Sequence, residues 1–126
     1  MKRNMELVRS LLQRAEVLEC DEDGPHELLK TTTYEEAYQV ALMKDAGLID
    51  GNVVTENLVP ASATIYRLTW EGHDFLDAVR EDTVWNKIKK NVIKPGASWT
   101  FALVVEYAKQ EIKNRLFGKG SSTPVD

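Results

Sequence analysis

The chain has 126 residues, of which 43% are hydrophobic and 29% are charged, and its formal net charge at pH 7 is −4. This composition is typical of an ordinary soluble globular protein that is long enough to bury a hydrophobic core without metals or disulfides. The single cysteine, Cys20, excludes an internal disulfide and favours a reducing cytoplasm, and the longest apolar run is far too short to cross a bilayer.

The first predicted elements are a helix, a turn and a short strand. Apolar residues recur at three- and four-residue steps from about Asn4 to Leu18, which predicts an amphipathic helix. Its predicted buried stripe comprises Met5, Val8, Leu11, Leu12, Ala15 and Leu18. The segment CDEDGPH, residues 20–26, predicts a turn, and HELLKT, residues 26–31, predicts a short strand because two leucines precede a run of threonines.

A capping box marks the start of the second predicted helix, residues 34–46. The hydroxyl of Thr33 can accept a hydrogen bond from the backbone N–H of Glu36, and the Glu36 carboxylate can reach back to Thr33. Gly47 can close the helix in the left-handed conformation, with Leu48 folded back onto the last turn. The predicted buried side comprises Ala37, Tyr38, Ala41 and Leu42.

A β-hairpin and a third helix follow. Two β-rich runs, residues 53–59 and 64–69, predict antiparallel strands joined by a loose loop at residues 60–63. Thr69 is expected to cap the next helix, on which Gly72 would permit a close approach of a neighbouring segment. The predicted buried face of this helix comprises Gly72, Phe75, Leu76 and Val79.

Two more helices are predicted near the C-terminus. Asp82 is expected to cap the first, which Pro95–Gly96 stops, and Ser98 is expected to cap the second. The apolar stripe of the first comprises Val84, Trp85, Ile88 and Val92, and that of the second comprises Phe101, Val104, Val105, Ala108, Ile112 and Leu116. The tail, residues 118–126, is rich in Gly, Ser and Pro, which predicts disorder.

The element order predicts the fold class. A helix, a short strand, a helix, a hairpin and a helix, in that order, indicate an α+β, mostly α, winged-helix-like domain at residues 1–94 with the hairpin as its wing. A C-terminal helix within residues 97–117 is then expected to pack on this domain or on a second chain.

Three blocks of the sequence also resemble a known family. The family is the bacterial and prophage-borne one catalogued as domain of unknown function 2513, and the resemblance runs in order over most of residues 1–90. It lies in the blocks MKRNMELVRSLL, YEEAYQVALMKDAGLI and LTWEGHDFLDAVREDTVWNK. The resemblance implies a winged-helix-like fold and a role in prophage or mobile-element biology, and it implies nothing about activity. The chain departs from the family pattern at Gln39, where a His is expected, and at Met43, where Leu is usual.

One cluster of polar residues invites a catalytic interpretation. Glu71, His73, Asp74 and Asp77 follow one another closely, but helical geometry separates Glu71 from His73 and leaves His73 and Asp77 as an ordinary surface pair. No phosphate-binding loop, nucleophile elbow or metal-ligand spacing occurs in the sequence. We therefore expect a protein that is not an enzyme, with no catalytic residues, no cofactor, no metal site, no small-molecule substrate and no membrane partner.

The three tryptophans also have two interpretations. Trp70, Trp85 and Trp99 each lie near the start of a predicted helix. Side chains of this size most often pack in a core or between helices, so we favour core packing over ligand stacking for all three.

The charge distribution disfavours conventional DNA recognition. The helix in the recognition position carries Glu35, Glu36 and Asp45 against Lys44 alone, and no basic residue lies between Lys44 and Arg67. A duplex would repel such a helix and wing, because affinity for DNA depends largely on Lys and Arg neutralising phosphates.

Two binding hypotheses remain, and the overall charge asymmetry motivates both. Residues 1–86 carry eight Lys/Arg against seventeen Asp/Glu, whereas residues 87–119 carry eight against two. In the favoured hypothesis the chain binds a protein, either a basic partner of its acidic body or a second copy through Phe101, Val104, Val105, Ile112 and Leu116. In the alternative it binds nucleic acid through Lys87, Lys90, Lys94, Lys109, Lys113 and Arg115, although lysines that merely solubilise two helices explain the same pattern.

Overall fold

Helices and antiparallel strands make up the computed structural model, which describes residues 2–18, 20–25, 27–94 and 98–117. Within these ranges the fold is α+β and mostly helical, with five helices and a three-stranded antiparallel sheet. The elements are α1 (Met5–Glu16), β1 (Cys20–Asp21), β2 (Gly24–Pro25), β3 (Leu29–Lys30), α2 (Tyr34–Asp45), β4 (Ile49–Glu56), β5 (Val59–Leu68), α3 (Trp70–Val79), α4 (Asp82–Asn91) and α5 (Phe101–Phe117). None of the described helices is both long and apolar enough to cross a membrane.

The chain divides into two compact units, residues 1–76 and 77–126. In the first unit α1 and α2 pack on β5 and on each other, and α2 also contacts β4. In the second unit α4 packs on α5. The domain division expected from the sequence, at residues 94 and 97, remains a prediction, and the tail expected to be disordered lies outside the described residues.

Helix α1 forms as its apolar spacing predicts. Asn4 is the N-cap, and its Oδ1 accepts from the backbone N–H of Leu7 at 3.1 Å. The helix ends at Glu16, two residues before the predicted end, and Leu18 is only half-buried. The rest of the predicted stripe is buried: Met5, Val8, Leu11, Leu12 and Ala15.

The start of α2 confirms half of the predicted capping box. Thr33 Oγ1 accepts from the backbone N–H of Glu36 at 3.0 Å. The Glu36 carboxylate reaches one residue further than predicted and accepts from the backbone N–H of Thr32 at 2.8 Å. The prediction that it would cap Thr33 is therefore wrong, because the carboxylate bonds the amide of the residue before the N-cap.

The buried face of α2 differs from the predicted one. Ala37, Gln39, Val40 and Met43 are buried, whereas Tyr38, Ala41 and Leu42 are only half-buried. Apolar residues surround most of this helix, so the periodicity alone does not select a face. Packing against both α1 and the sheet selects it instead.

The end of α2 confirms the glycine stop. Gly47 has a φ of +78°, and its N–H donates to the carbonyl of Lys44 at 3.0 Å. The N–H of Leu48 donates to the carbonyl of Met43 at 2.9 Å, which completes a Schellman motif.

The hairpin forms, but its turn lies elsewhere than predicted. The sheet order is β3-β5-β4, and β4 and β5 are joined by Asn57 and Leu58, whose φ angles are +52° and +70°. Pro60, expected in the loop, pairs with Thr55 inside the ladder beside a register shift, where a missing N–H is tolerated. The error has a clear cause, because Leu is a poor signal for a turn that needs a positive φ.

The second unit buries the predicted stripe of α4 and two residues of the predicted α5 stripe, and it shifts two predicted caps. Glu81, not Asp82, is the N-cap of α4. Thr100, not Ser98, caps α5, since Thr100 Oγ1 accepts from the N–H of Leu103 at 3.1 Å. Pro95 and Gly96, predicted to stop α4, lie outside the described residues. The buried apolar side chains of this unit include Val84, Trp85, Ile88, Val92, Val104 and Ala108.

Candidate functional site

The segment that links β5 to α3 is a structural joint. Thr69 donates its N–H to the carbonyl of Leu48 at 3.0 Å and its hydroxyl to the carbonyl of Gly47 at 2.5 Å. The same Thr69 hydroxyl oxygen accepts from the N–H of Gly72 at 3.0 Å, which confirms the predicted cap. A Cβ at Gly72 would overlap the carbonyl oxygen of Leu48, so the predicted close approach is also present.

The polar residues that suggested acid–base chemistry lie on exposed positions of α3. All four side chains are exposed: Glu71, His73, Asp74 and Asp77. The carboxylate of Asp77 forms an ion pair with the guanidinium of Arg80, with an N–O distance of 2.9 Å. Within the described ranges, no three His, Cys, Asp or Glu side chains are grouped so that they could hold a metal. Exposed carboxylates and an exposed imidazole can take part in hydrogen bonds and ion pairs, and a catalytic role would require a nucleophile or a metal beside them as well.

An open groove of about 420 Å³ lies between the end of α1, the end of β5 and the start of α3. We call it the aromatic groove. Its principal lining side chains are Glu16, Leu18, Tyr66, Arg67, Trp70 and His73. Trp70 is 78% exposed and Tyr66 is 42% exposed, so both present aromatic surface to solvent.

Core packing is therefore confirmed for one tryptophan and wrong for another. Trp85 is 2% exposed, as predicted, whereas Trp70 projects from the first turn of α3. Trp99 is half-buried and makes an edge-to-face contact with Phe101, with ring centroids 5.7 Å apart. A signal for Trp70 was present in the sequence, because it lies off the stripe formed by Gly72, Phe75, Leu76 and Val79.

The groove lies in an acidic unit, and the charge of its one arginine is compensated. Residues 1–76 carry seven Lys/Arg and fourteen Asp/Glu, a net charge of −7. Arg67 forms an ion pair with Asp50 at 2.5 Å and donates to the carbonyl of Leu68 at 3.1 Å. Asp74 is exposed four residues after Trp70, which places its carboxylate on the same face of α3.

On α2, the side chains divide between structural roles and an acidic surface. Gln39 is fully buried, and Glu36 forms an ion pair with Arg14 at 3.2 Å. The hydrogen bond from the Thr32 backbone lowers the pKa of Glu36, burial opposes this by raising it, and Arg14 lowers it further. Glu35, Lys44 and Asp45 are exposed, so the exposed charge of these three side chains is net negative.

Two of the six candidate basic residues form ion pairs with carboxylates of the same unit. Lys87 pairs with Glu111 at 2.9 Å, and Arg115 pairs with Glu81. Lys94 lies beyond the end of α4, so it does not continue the helical face on which Lys87 and Lys90 lie. The exposed members of the set without such a pair are Lys90, Lys94, Lys109 and Lys113.

The candidate self-association stripe of α5 is partly used within the chain. Val104 is fully buried, and Phe101 and Val105 are half-buried. Ile112 is 39% exposed and Leu116 is 67% exposed. Leu103, outside the predicted stripe, is also about half exposed.

Comparison with known proteins identifies a family. The sequence profile of the family described as hypothetical protein (DUF2513) matches residues 2–98. An "Uncharacterized protein" of Haemophilus influenzae (strain Rd) is 31% identical over 121 residues, which cover 92% of this chain and 99% of that protein. No solved structure matches the chain. The chain thus belongs to the DUF2513 family, as the block LTWEGHDFLDAVREDTVWNK indicated.

Proposed function

We propose that this chain is a non-enzymatic, cytoplasmic winged-helix protein that acts by binding another protein through the aromatic groove, in the setting of a prophage or mobile element. The observation that carries the proposal is the exposure of Trp70 beside Tyr66 in one groove. Trp and Tyr are enriched among the residues that dominate binding energy at protein interfaces. A tryptophan held in water on a rigid helix leaves a large apolar surface for a partner to cover.

The sheet order supports the winged-helix part of the proposal. The two-residue strand β3 pairs with β5, and β5 pairs with β4. In this proposal the β4–β5 hairpin is the wing. Helices α1 and α2 pack on β5, as the helices of a winged helix pack on its sheet. Between β3 and the hairpin, where all residues are described, the chain has one helix, α2. An ordinary helix-turn-helix has a second, supporting helix at this place.

The surface of α2 supports a protein partner over a DNA groove. Gln39 lies inside the fold, where it cannot contact a base edge, and Glu35 and Asp45 are exposed. In the wing, strand β4 carries Asp50 and Glu56, and strand β5 adds one basic residue, Arg67. The guanidinium of Arg67 is paired with Asp50. A phosphate backbone would meet little unpaired positive charge on these elements.

Nucleic-acid binding by the second unit is the alternative function. It is favoured by four exposed lysines, Lys90, Lys94, Lys109 and Lys113. Each would release counterions from a phosphate backbone, so binding of this kind weakens steeply as salt rises. Self-association through Ile112 and Leu116 is a further form of protein binding, and it would persist in high salt because it buries apolar surface.

One set of measurements separates these functions. The chain is passed over heparin and duplex DNA at low salt, and its sedimentation is measured over a range of concentrations. In parallel, proteins from the native host are captured on wild-type chain and on a Trp70→Leu variant, and direct binding of each captured protein is then measured. We expect no retention on DNA, a monomer, and at least one protein whose direct binding is weakened by Trp70→Leu.

Salt-sensitive retention on DNA that is lost when Lys90, Lys94 and Lys109 become Glu would instead establish the alternative. A dimer that dissociates in a Leu116→Lys variant would establish self-association. A Leu58→Ala variant serves as the matched control for Trp70→Leu, because Leu58 is an exposed apolar side chain on the wing of the same unit.

A further inference from the structure

We infer that the aromatic groove binds a cationic side chain, arginine or lysine, presented by the partner protein. This inference rests on the proposed function and adds the chemistry of the contact. Two exposed aromatic rings line the groove, Tyr66 from the end of β5 and Trp70 from the start of α3. An aromatic face attracts a cation through its quadrupole, and Trp and Tyr are the strongest of the ring types that do so.

The charges beside the rings favour a cation over an anion. Asp74 is exposed and lies on the Trp70 face of α3, so its carboxylate is within reach of a group that lies over the indole ring. Arg67 also lines the groove, but its guanidinium is held by the Asp50 carboxylate and the Leu68 carbonyl. The net charge of −7 over residues 1–76 extends this bias beyond the groove and would draw a basic segment towards it.

The size and shape of the groove suit a side chain of an extended segment. Its volume of about 420 Å³ is at the small end of ordinary ligand pockets, and it is open to solvent. A guanidinium or ammonium group could lie over the rings while its aliphatic stem covers Leu18 and the edge of Trp70. A nucleic-acid base could stack on the same rings, but its phosphates would meet the acidic surface around them.

The indole N–H groups provide a direct test. The chain has three tryptophans, so a ¹⁵N-labelled sample has three indole signals, and the Trp70→Leu spectrum identifies the Trp70 signal by its loss. The probes are four end-blocked peptides of one uncharged sequence that differ only at a central Arg, Lys, Gln or Glu. A single-stranded oligonucleotide is the fifth probe, and all titrations are run at low salt.

We expect the Arg and Lys peptides to shift the Trp70 signal saturably, while the signals of Trp85 and Trp99, which do not line the groove, stay in place. The Gln and Glu peptides should shift it much less at the same concentration. Trp70→Leu keeps apolar surface and removes the quadrupole, so the affinity for the Arg peptide, followed by the backbone signals of the groove, should fall roughly 3- to 30-fold. Asp74→Asn should also weaken it, whereas Glu56→Gln on the wing should not.

Several outcomes would overturn the inference. They are a Glu or oligonucleotide probe that shifts Trp70 more than the Arg peptide does, equal shifts with Arg and Gln, or no shift with any probe. If one of these occurs while a captured protein still binds in a Trp70-dependent manner, the cationic ligand is wrong and the protein-binding function stands. If no protein binds in that manner, the proposed function fails as well.

Discussion

The side-chain amide of Gln39 forms two hydrogen bonds with the backbone of the segment that precedes α1. Its Oε1 accepts from the N–H of Asn4 at 2.9 Å, and its Nε2 donates to the carbonyl of Lys2 at 2.9 Å. Gln39 is fully buried, so this amide ties the N-terminal segment to α2 with both of its polar atoms satisfied. Gln39 thus has a structural role.

Replacing Gln39 by Leu should destabilise the fold by about 1–3 kcal/mol, because the Asn4 N–H and the Lys2 carbonyl would lose their partner in a partly buried position. The free energy of unfolding, measured with urea, checks this. Gln13→Leu on the exposed side of α1 is the matched control and should change stability little.

A Gln39→His variant adds a sharper test, since a neutral imidazole has one donor and one acceptor, as the amide does here. We expect it to be more stable than Gln39→Leu. Equal stability of Gln39→Leu and the wild type would contradict the structural role of the amide.

Replacing Gly72 by Ala and replacing Gly47 by Ala should lower the free energy of unfolding by different amounts. Gly47 follows the end of α2, and Gly72 lies near the start of α3. At Gly72 the new methyl group would overlap the carbonyl oxygen of Leu48, and the expected loss of stability is about 1–3 kcal/mol or more. At Gly47 there is open space, and only the φ of +78° is strained, for which we expect about 1 kcal/mol. Urea unfolding of both variants checks the order, and a larger loss at Gly47 would contradict the close approach at Gly72.

Local signals in the sequence predicted most elements of the fold. The Thr33 cap, the Gly47 stop and the Thr69 cap each depend on a few adjacent residues, and the structure confirms all three. The buried face of α2 depends on which neighbours pack around it, and the turn at Asn57 and Leu58 lacks the glycine that normally marks a type I′ turn. Both were missed for that reason.

The candidate site was harder to predict than the fold. Size alone predicted burial for Trp70, whereas the helical stripe that excludes it was already visible in the sequence. The pairing of Arg67 with Asp50 depends on strand register, which the misplaced turn concealed. The aromatic groove joins the ends of three elements that are distant in sequence, and no local pattern reports such a meeting.

The stability of the fold should depend on the ionisation of Glu36. Because the folded-state pKa of this carboxyl is lowered, mainly by the Thr32 N–H, its contribution is fully present above the ordinary carboxyl pKa. The contribution is lost as the pH falls through the lowered value. At neutral pH, Glu36→Gln should therefore cost about 1 kcal/mol, and the gap between variant and wild type should close in acid.

Urea unfolding of both proteins at a series of pH values measures that gap. Glu56→Gln, an exposed change on the wing, is the control and should show no pH-dependent difference of this size. A gap for Glu36→Gln that widens in acid would contradict the predicted sign.

The wing turn should become more stable when Leu58 is replaced by Gly. Leu58 has a φ of +70°, so its backbone is strained. Its side chain is 95% exposed and contributes little packing within the chain. Gly removes the strain but has more freedom in the unfolded state, and we expect a net gain of about 0.5–1 kcal/mol. Asn57→Gly should change stability less, because Asn tolerates the left-handed region that its φ of +52° occupies. Urea unfolding measures both, and a loss of stability in Leu58→Gly would mean that the exposed leucine packs within the chain after all.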